Sequence, residues 1–267
     1  MKISILTVCP ECLNGFENWP NTAHAISNGA LELNIVDIRK YAGGSFRHVD
    51  DSPFGGGAGC VLRAKPILDA VNDLRGLPEP EKDVEPDAEH KVESESANPF
   101  VVLLSPSGRT YNQEIAHELA GKKHLALVCG HYEGVDARIM PDMDDVISIG
   151  DYVLSGGEPA AEVLADSVIR LLDGVIRKES IREESFEDGL LEYPQYTQPA
   201  SIDMCAGNVP EVLLSGDHER IRTWRRQQSL LLTLKNRPDL IERARADGRL
   251  SDEDEDFLLR AREQLMR

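Results

Sequence analysis

Nowhere in the chain do about 18 apolar residues run together, which excludes a transmembrane helix. The N-terminal run Ile3-Ser4-Ile5-Leu6-Thr7-Val8 is too short for a signal-peptide core and reads as a first buried strand, so a cytoplasmic protein is expected. Cysteine is scarce. Cys9, Cys12, Cys60, Cys129 and Cys205 form an odd, scattered set, which predicts reduced thiols. Cys9-Pro10-Glu11-Cys12 is formally a C-x-x-C and admits three readings: a redox pair, half a zinc site, or coincidence. No second pair stands at ligand spacing and no thioredoxin-like context surrounds it, so coincidence is the favoured reading. There is no G-x-x-x-x-G-K-[ST], which excludes a P-loop, and no G-x-G-x-x-G opening a helix after the first strand, so a dinucleotide site is unsupported. Positive charge is also short: 29 basic against 47 acidic side chains leave −18, which on average repels nucleic acid.

The charge is unevenly spread. Residues 76–99 carry eight acids (Glu79, Glu81, Asp83, Glu85, Asp87, Glu89, Glu93, Glu95) against Lys82 and Lys91. Such a segment cannot bury a core and is read as a mobile, dispensable surface insertion. Residues 217–237 reverse the balance, with six basic residues against Asp217 and Glu219.

At 267 residues the chain is long enough for one large domain or two small ones without disulfide or metal staples. Residues 2–8 and 31–38 read as strands, and 65–75 as a helix. Three continuous apolar runs follow, Phe100–Leu104, His124–Cys129 and Val146–Ile149, as central parallel strands should be. Helical stretches stand at 111–120 and 158–172, the latter with Pro159 near its start and Gly174 as its stop. This alternation predicts an α/β domain with a mainly parallel sheet over 1–172. Residues 173–200 lack a period and read as an interdomain linker or active-site loop. Residues 201–267 read as a small α-helical domain, in which Ile221, Trp224 and Leu231 share a face and Ser251-Asp252-Glu253-Asp254 caps a last helix.

Each of the three strands ends in a distinctive loop: Leu104-Ser105-Pro106-Ser107-Gly108, Cys129-Gly130-His131-Tyr132-Glu133-Gly134-Val135-Asp136, and Ser148-Ile149-Gly150-Asp151-Tyr152-Val153-Leu154-Ser155-Gly156-Gly157-Glu158. Ligands bind outside the carboxyl ends of parallel strands, so these loops predict one shared site. Glycine lets backbone approach a ligand closely. The string Gly55-Gly56-Gly57-Ala58-Gly59 follows no clear strand and by itself reads equally as a flexible loop.

These loops, with Pro53-Phe54 before the glycine string, Tyr196-Thr197-x-Pro199, Val209-Pro210-x-Val212-Leu213-Leu214-Ser215-Gly216 and Ile221-Arg222-x-Trp224-Arg225, resemble the TrmD family of bacterial tRNA (guanine-N1)-methyltransferases, which act at tRNA position 37. The resemblance runs from residue 1 to about 240. It implies a SPOUT fold with a C-terminal trefoil knot, S-adenosylmethionine held by the three loops, and a homodimer with sites between subunits. The implied cofactor residues are Leu104, Ser105, Pro106, Gly130, Tyr132, Glu133, Ile149, Gly150, Asp151, Tyr152, Val153, Leu154, Gly156, Gly157 and Pro159. Mg²⁺ assists members of the family, but no ligand cluster here identifies a site.

Guanine N1 is a poor nucleophile while protonated, so the reaction needs a base at N1 and a cation near O6. Arg170 occupies the family's catalytic arginine position and is assigned to O6; a structural salt bridge is the competing reading. The family's base is an Asp in an Asp-Ser-Phe string. Here the string is Glu184-Ser185-Phe186, in a stretch one residue shorter, with Glu183 and Asp188 as alternatives to Glu184. The family's second loop also carries Arg where His131 stands, a change that weakens a charge contact or makes it pH-sensitive. Arg222, Arg225 and Arg226 share a helix face at i, i+3, i+4 and read as phosphate contacts, and Asp50 and Phe54 are placed near the target base by resemblance. The alternatives are a methyltransferase of the same fold acting on another RNA such as ribosomal RNA, a non-catalytic RNA-binding protein that kept the cofactor loops, and a redox protein using Cys9 and Cys12.

Overall fold

The computed structural model describes residues 1–44, 46–77, 98–201 and 208–265. The acidic insertion read over 76–99 therefore lies, apart from its ends, outside the described residues, as does Cys205. The chain forms two compact units, Met1–Ile176 and Arg177–Arg267.

The first unit contains β1 (Lys2–Thr7), α1 (Pro20–Ser27), β2 (Glu32–Asp37), the short hairpin β3 (Asp50–Asp51) and β4 (Val61–Leu62), α2 (Ala64–Leu74), β5 (Phe100–Thr110), α3 (Gln113–Ala120), β6 (His124–Cys129), β7 (Asp145–Ser148) and α4 (Glu158–Ile169). Five of the strands form one sheet in the order β2-β1-β6-β5-β7. Every neighbouring pair in it is parallel. The expected mainly parallel sheet is therefore present, although β7 is an edge strand and not a central one.

Side chains alternate across the sheet. Ile3, Ile5, Val102, Leu104, Leu125, Leu127 and Cys129 join α1, α3 and α4 in one core cluster. Leu6, Val101, Leu103, Ala126 and Val128 join α2 on the other face. With both faces covered, the inner strands are mostly apolar, with buried Ser4 and His124 bonded to each other at 2.9 Å, which is why they read as near-continuous runs and not as alternating ones.

β5 is longer than the apolar run that announces it. After Leu104 the register shifts, and Arg109 and Thr110 pair again with Ile147 and Ser148. Gly108 allows this return, because a Cβ there would stand 2.4 Å from the Val146 backbone. α4 ends at Ile169, with Arg170 as its C-cap, and so stops short of the expected residue 172.

The second unit contains α5 (Lys178–Arg182), α6 (Glu211–Leu214), α7 (His218–Asn236), α8 (Pro238–Ala246) and α9 (Asp252–Leu265). Its core is Leu190, Leu230, Ile241, Ala244 and Leu258. The face of α7 turned to this core carries Ser229, Leu230 and Thr233, while Ile221, Trp224 and Leu231 are only half-buried. The face shared by Ile221, Trp224 and Leu231 is thus distinct from the side that carries Ser229, Leu230 and Thr233. The core side is set by residues 190–191, which dock through the Leu190 side chain, the Leu191 N–H donating to Thr233 Oγ1 (2.9 Å), and the Ser229 hydroxyl donating to the Leu191 carbonyl. The start of α9 is capped as expected: the Asp254 N–H donates to Ser251 Oγ and the Ser251 N–H donates back to Asp254 Oδ2.

The thiol expectation is also corrected, for Cys9 and Cys12 form a disulfide. The 3₁₀ turn Pro10–Leu13, closed by the Cys12 N–H donating to the Cys9 carbonyl at 3.0 Å, brings their Cα atoms to 5.5 Å, a spacing disulfides commonly adopt.

Candidate active site

The bulged stretch Ser105–Gly108 within β5 and the loops after β6 and β7 meet and enclose a cleft of about 280 Å³. Of the residues expected to hold a cofactor, Leu104, Ser105, Pro106, Gly130, Tyr132, Glu133, Ile149, Gly150, Tyr152, Val153, Leu154, Gly156 and Gly157 all line it. Asp151 and Pro159 do not; both are exposed. The cleft also takes wall from His131, Gly134, Val135, Ser148, Ser155 and Ala160, which the resemblance does not assign. Ala160 follows Pro159 on α4, and successive helical positions point about 100° apart, so one faces the cleft while the other faces water.

Backbone forms much of the wall. The Gly157 N–H donates to the Gly130 carbonyl (2.8 Å), and His131 pairs with Gly156 in an isolated antiparallel bridge, so the second and third loops are stitched together. A Cβ on Gly157 would lie 2.7 Å from Cys129 Cα, which explains why only glycine fits. Tyr132 has φ +57°, a left-handed conformation unusual for a bulky residue, and strain of this kind clusters at ligand sites.

Behind this wall lies a buried polar cluster. Glu158 is 3% exposed and Thr7 fully buried. The Thr7 hydroxyl donates to the Glu158 carboxylate, and His131 Nε2 stands 3.4 Å from the other Glu158 oxygen. His131 Nδ1 is buried with no hydrogen-bond partner among the described residues.

The glycine string forms the β3–β4 hairpin loop, with Gly55, Gly56, Gly57 and Gly59 all at positive φ. It is tied to the second loop: the Glu133 N–H donates to the Cys60 carbonyl (3.0 Å) and the Leu62 N–H to the Gly134 carbonyl (2.9 Å). Phe54 is fully exposed on it. The Cys60 thiol hydrogen-bonds Asp50, and that bond, with burial and the Asp50 charge, raises the thiol pKa.

Arg170 is half-buried at the far end of α4 from the cleft. Twelve residues separate it from Glu158, about 18 Å of helix rise. It faces Asp166: burial raises the Asp166 carboxyl pKa and the Arg170 charge draws it back.

In the second unit, Glu183, Glu184 and Asp188 line a cleft of about 590 Å³ together with Arg222, Arg225 and Arg226. Glu183 accepts from the Tyr193 hydroxyl and lies 3.4 Å from Arg225, whose guanidinium stacks over the Tyr193 ring. Asp188 pairs with Arg226 at 2.6 Å. Arg226 also grips Asp254 at 2.9 Å, so this arginine is committed inside the unit. Phe186, beside Glu184, has φ +77°.

Among the described residues no three His, Cys, Asp or Glu side chains cluster as a metal site, and no helix is long and apolar enough to cross a membrane.

Comparison with known proteins agrees with the loops. The family described as tRNA (Guanine-1)-methyltransferase TrmD matches residues 1–243. The tRNA (guanine-N(1)-)-methyltransferase of Moorella thermoacetica is 50% identical over 97% of this chain and 95% of its own length. Those of Halalkalibacterium halodurans (46% identical, 97% and 96% covered) and Sulfurihydrogenibium sp. (44%, 97% and 92%) are similar over the same extent. With a family match over nine-tenths of its length and relatives aligned nearly end to end, this chain belongs to the TrmD family of tRNA (guanine-1)-methyltransferases.

Proposed function

We propose that this chain methylates N1 of guanosine 37 in tRNA, beside the anticodon, using S-adenosylmethionine. Family membership supports the activity, and the observation that carries the assignment of the donor site is the cleft formed by the bulge of β5 and the loops that follow β6 and β7. Its residues fit the donor. Gly130, Gly150, Gly156 and Gly157 put backbone polar groups in the wall, Leu104, Ile149 and Leu154 supply apolar wall for a flat base, and Glu133 supplies a carboxylate. S-adenosylmethionine, when bound, supplies an electrophilic methyl group.

Glu184 takes the N1 proton, and the Arg170 guanidinium stabilises the negative charge that grows on O6. Glu184 stands at the Asp position of the family's Asp-Ser-Phe string, which favours it for the role over Glu183 and Asp188. Arg222 and Arg225 contact tRNA phosphates, and the exposed Phe54 with Asp50 lies toward the target base. The 18 Å of helix between the cleft and Arg170, an estimate from helix rise, supports a homodimer in which a second copy brings its Arg170 to the donor. The return of the chain from edge strand β7 to the end of β6 supports a SPOUT-type knotted path. A cytoplasmic location follows from the substrate. Mg²⁺ assistance rests on the family alone.

Nucleoside mass spectrometry of tRNA incubated with enzyme and S-adenosylmethionine tests this reading. It predicts 1-methylguanosine, and its absence with wild-type enzyme contradicts it.

A further inference from the structure

We propose that Cys9 and Cys12 are a reversible thiol–disulfide site that sets the affinity of the cleft for its methyl donor. The inference rests on the reading of the cleft as the donor site. The pair is accessible: Cys12 is exposed and Cys9 half-buried. It sits in a fixed frame, because Leu13, in the same turn, is buried in the core.

An unbroken chain of polar contacts leads from the disulfide to the cleft wall. The Cys9 N–H donates to Thr7 Oγ1 at 2.8 Å. The Thr7 hydroxyl donates to Glu158, whose second oxygen lies 3.4 Å from His131 Nε2. The Glu158 carboxylate and the His131 ring fill the space beside Gly156, where a Cβ would stand 2.6 Å from Glu158 Oε2 and 2.6 Å from His131 Nε2. His131 and Gly156 line the cleft. Movement of the Cys9 backbone is thus passed to a wall that has no slack, since interiors packed this closely shift in discrete steps.

The chemistry is two-electron exchange with a dithiol reductant. A reductant thiolate attacks Cys12 Sγ, the S–S bond breaks, and Cys9 leaves as thiolate and takes a proton from water. The second reductant thiol then displaces Cys12 from the mixed disulfide. The reductant ends as its own disulfide and the protein as two thiols. The disulfide form holds the Cys9 N–H on Thr7 and so fixes Glu158; reduction frees the turn and loosens the wall.

Two measurements on the full-length protein, equilibrated with dithiothreitol or with oxidised glutathione, test this. Iodoacetamide labelling with mass spectrometry reads the pair, and calorimetric titration with S-adenosylmethionine reads the cleft. The expected result is two labels on the Cys9–Cys12 peptide after reduction and none after oxidation, with donor affinity about fivefold weaker in the reduced form. Thr7→Val keeps the disulfide but cuts the chain of contacts, so its affinity should no longer follow redox state; Cys60 is present in both proteins and its own chemistry cancels. Labelling of both cysteines that persists after oxidation, or equal affinity in both redox states, overturns the inference alone. Failure to bind the donor in either state overturns the reading of the cleft and the inference with it.

Discussion

Gly157→Ala isolates what the packing of the loops around the cleft proposed for the donor requires. Gly157 has φ −81°, a value any residue adopts, so backbone strain does not enter. The added Cβ would lie 2.7 Å from Cys129 Cα, 2.9 Å from Gly130 N and 3.1 Å from Cys129 Cβ. Carbon pairs rest at about 3.5–4.0 Å, so the start of α4 must move off β6 by roughly 1 Å. The neighbours are backbone of an inner strand and cannot swing aside. Overpacking of this kind costs about 1–3 kcal/mol, and Ala in place of Gly at an N-cap adds several tenths, for about 2–3 kcal/mol in all. The same displacement stretches the Gly157 N–H bond to the Gly130 carbonyl and opens the cleft that both residues line. Donor affinity should therefore fall by about tenfold or more, equivalent to about 1.4 kcal/mol. Urea unfolding followed by Trp19 fluorescence in a Trp224→Phe background reports the first unit alone, and calorimetry reports the donor. Gly43→Ala, where a Cβ meets open space, is the control and should stay within about 0.5 kcal/mol of wild type. A Gly157→Ala protein as stable as that control, with unchanged donor affinity, would refute the steric account.

Further outcomes are expected. Glu184→Gln should lower single-turnover methyl transfer by about 10²–10⁴-fold while tRNA binding persists; Glu183→Gln, at a carboxylate already held by Tyr193 and Arg225, should lower it less than about tenfold. Arg222→Ala should weaken tRNA binding and reduce its salt slope by about 0.9, whereas Arg226→Ala should chiefly destabilise the second unit, since it strips partners from Asp254 and Asp188. Burial raises the Asp254 carboxyl pKa, but hydrogen bonds from Arg226 and the Ser251 N–H outweigh it and hold the group below the ordinary value. Its contribution is thus present above the unfolded carboxylate pKa and lost as pH falls through the folded one. Asp254→Asn should cost about 2 kcal/mol at neutral pH, allowing for the solvent exposure of Arg226, and the gap to wild type should close in thermal melts below about pH 4.

The parallel sheet was readable because burial on both faces writes itself as uninterrupted apolar sequence; β6 matches its expected span, His124–Cys129. The far half of β5 was not readable, because Ser105-Pro106-Ser107-Gly108 looks like a turn and the chain resumes pairing only after a register shift. The core face of α7 is not legible in the sequence for a related reason. Its buried side includes Ser229 and Thr233, polar residues whose hydroxyls are satisfied by the backbone, both of them in part by the irregular segment at Leu191. Periodicity cannot see a partner that has no period. The disulfide escaped because spacing alone left Cys9 and Cys12 open to several readings, and only the 3₁₀ turn brings them together. At the candidate site the three loops were plain in the sequence, whereas His131 and Ala160 entered the wall through side-chain direction, which only the fold supplies.

The central claim is methyl transfer to one atom of one nucleotide. Its most direct test is radiolabelled methyl transfer from S-adenosylmethionine to two tRNA transcripts, one with guanosine at position 37 after a guanosine at 36, the other with adenosine at 37. Label on the first alone, mapped to guanine N1, is the predicted result. Label on neither, with the donor still bound by calorimetry, would contradict it and direct attention to Glu184, which stands where the family pattern has Asp.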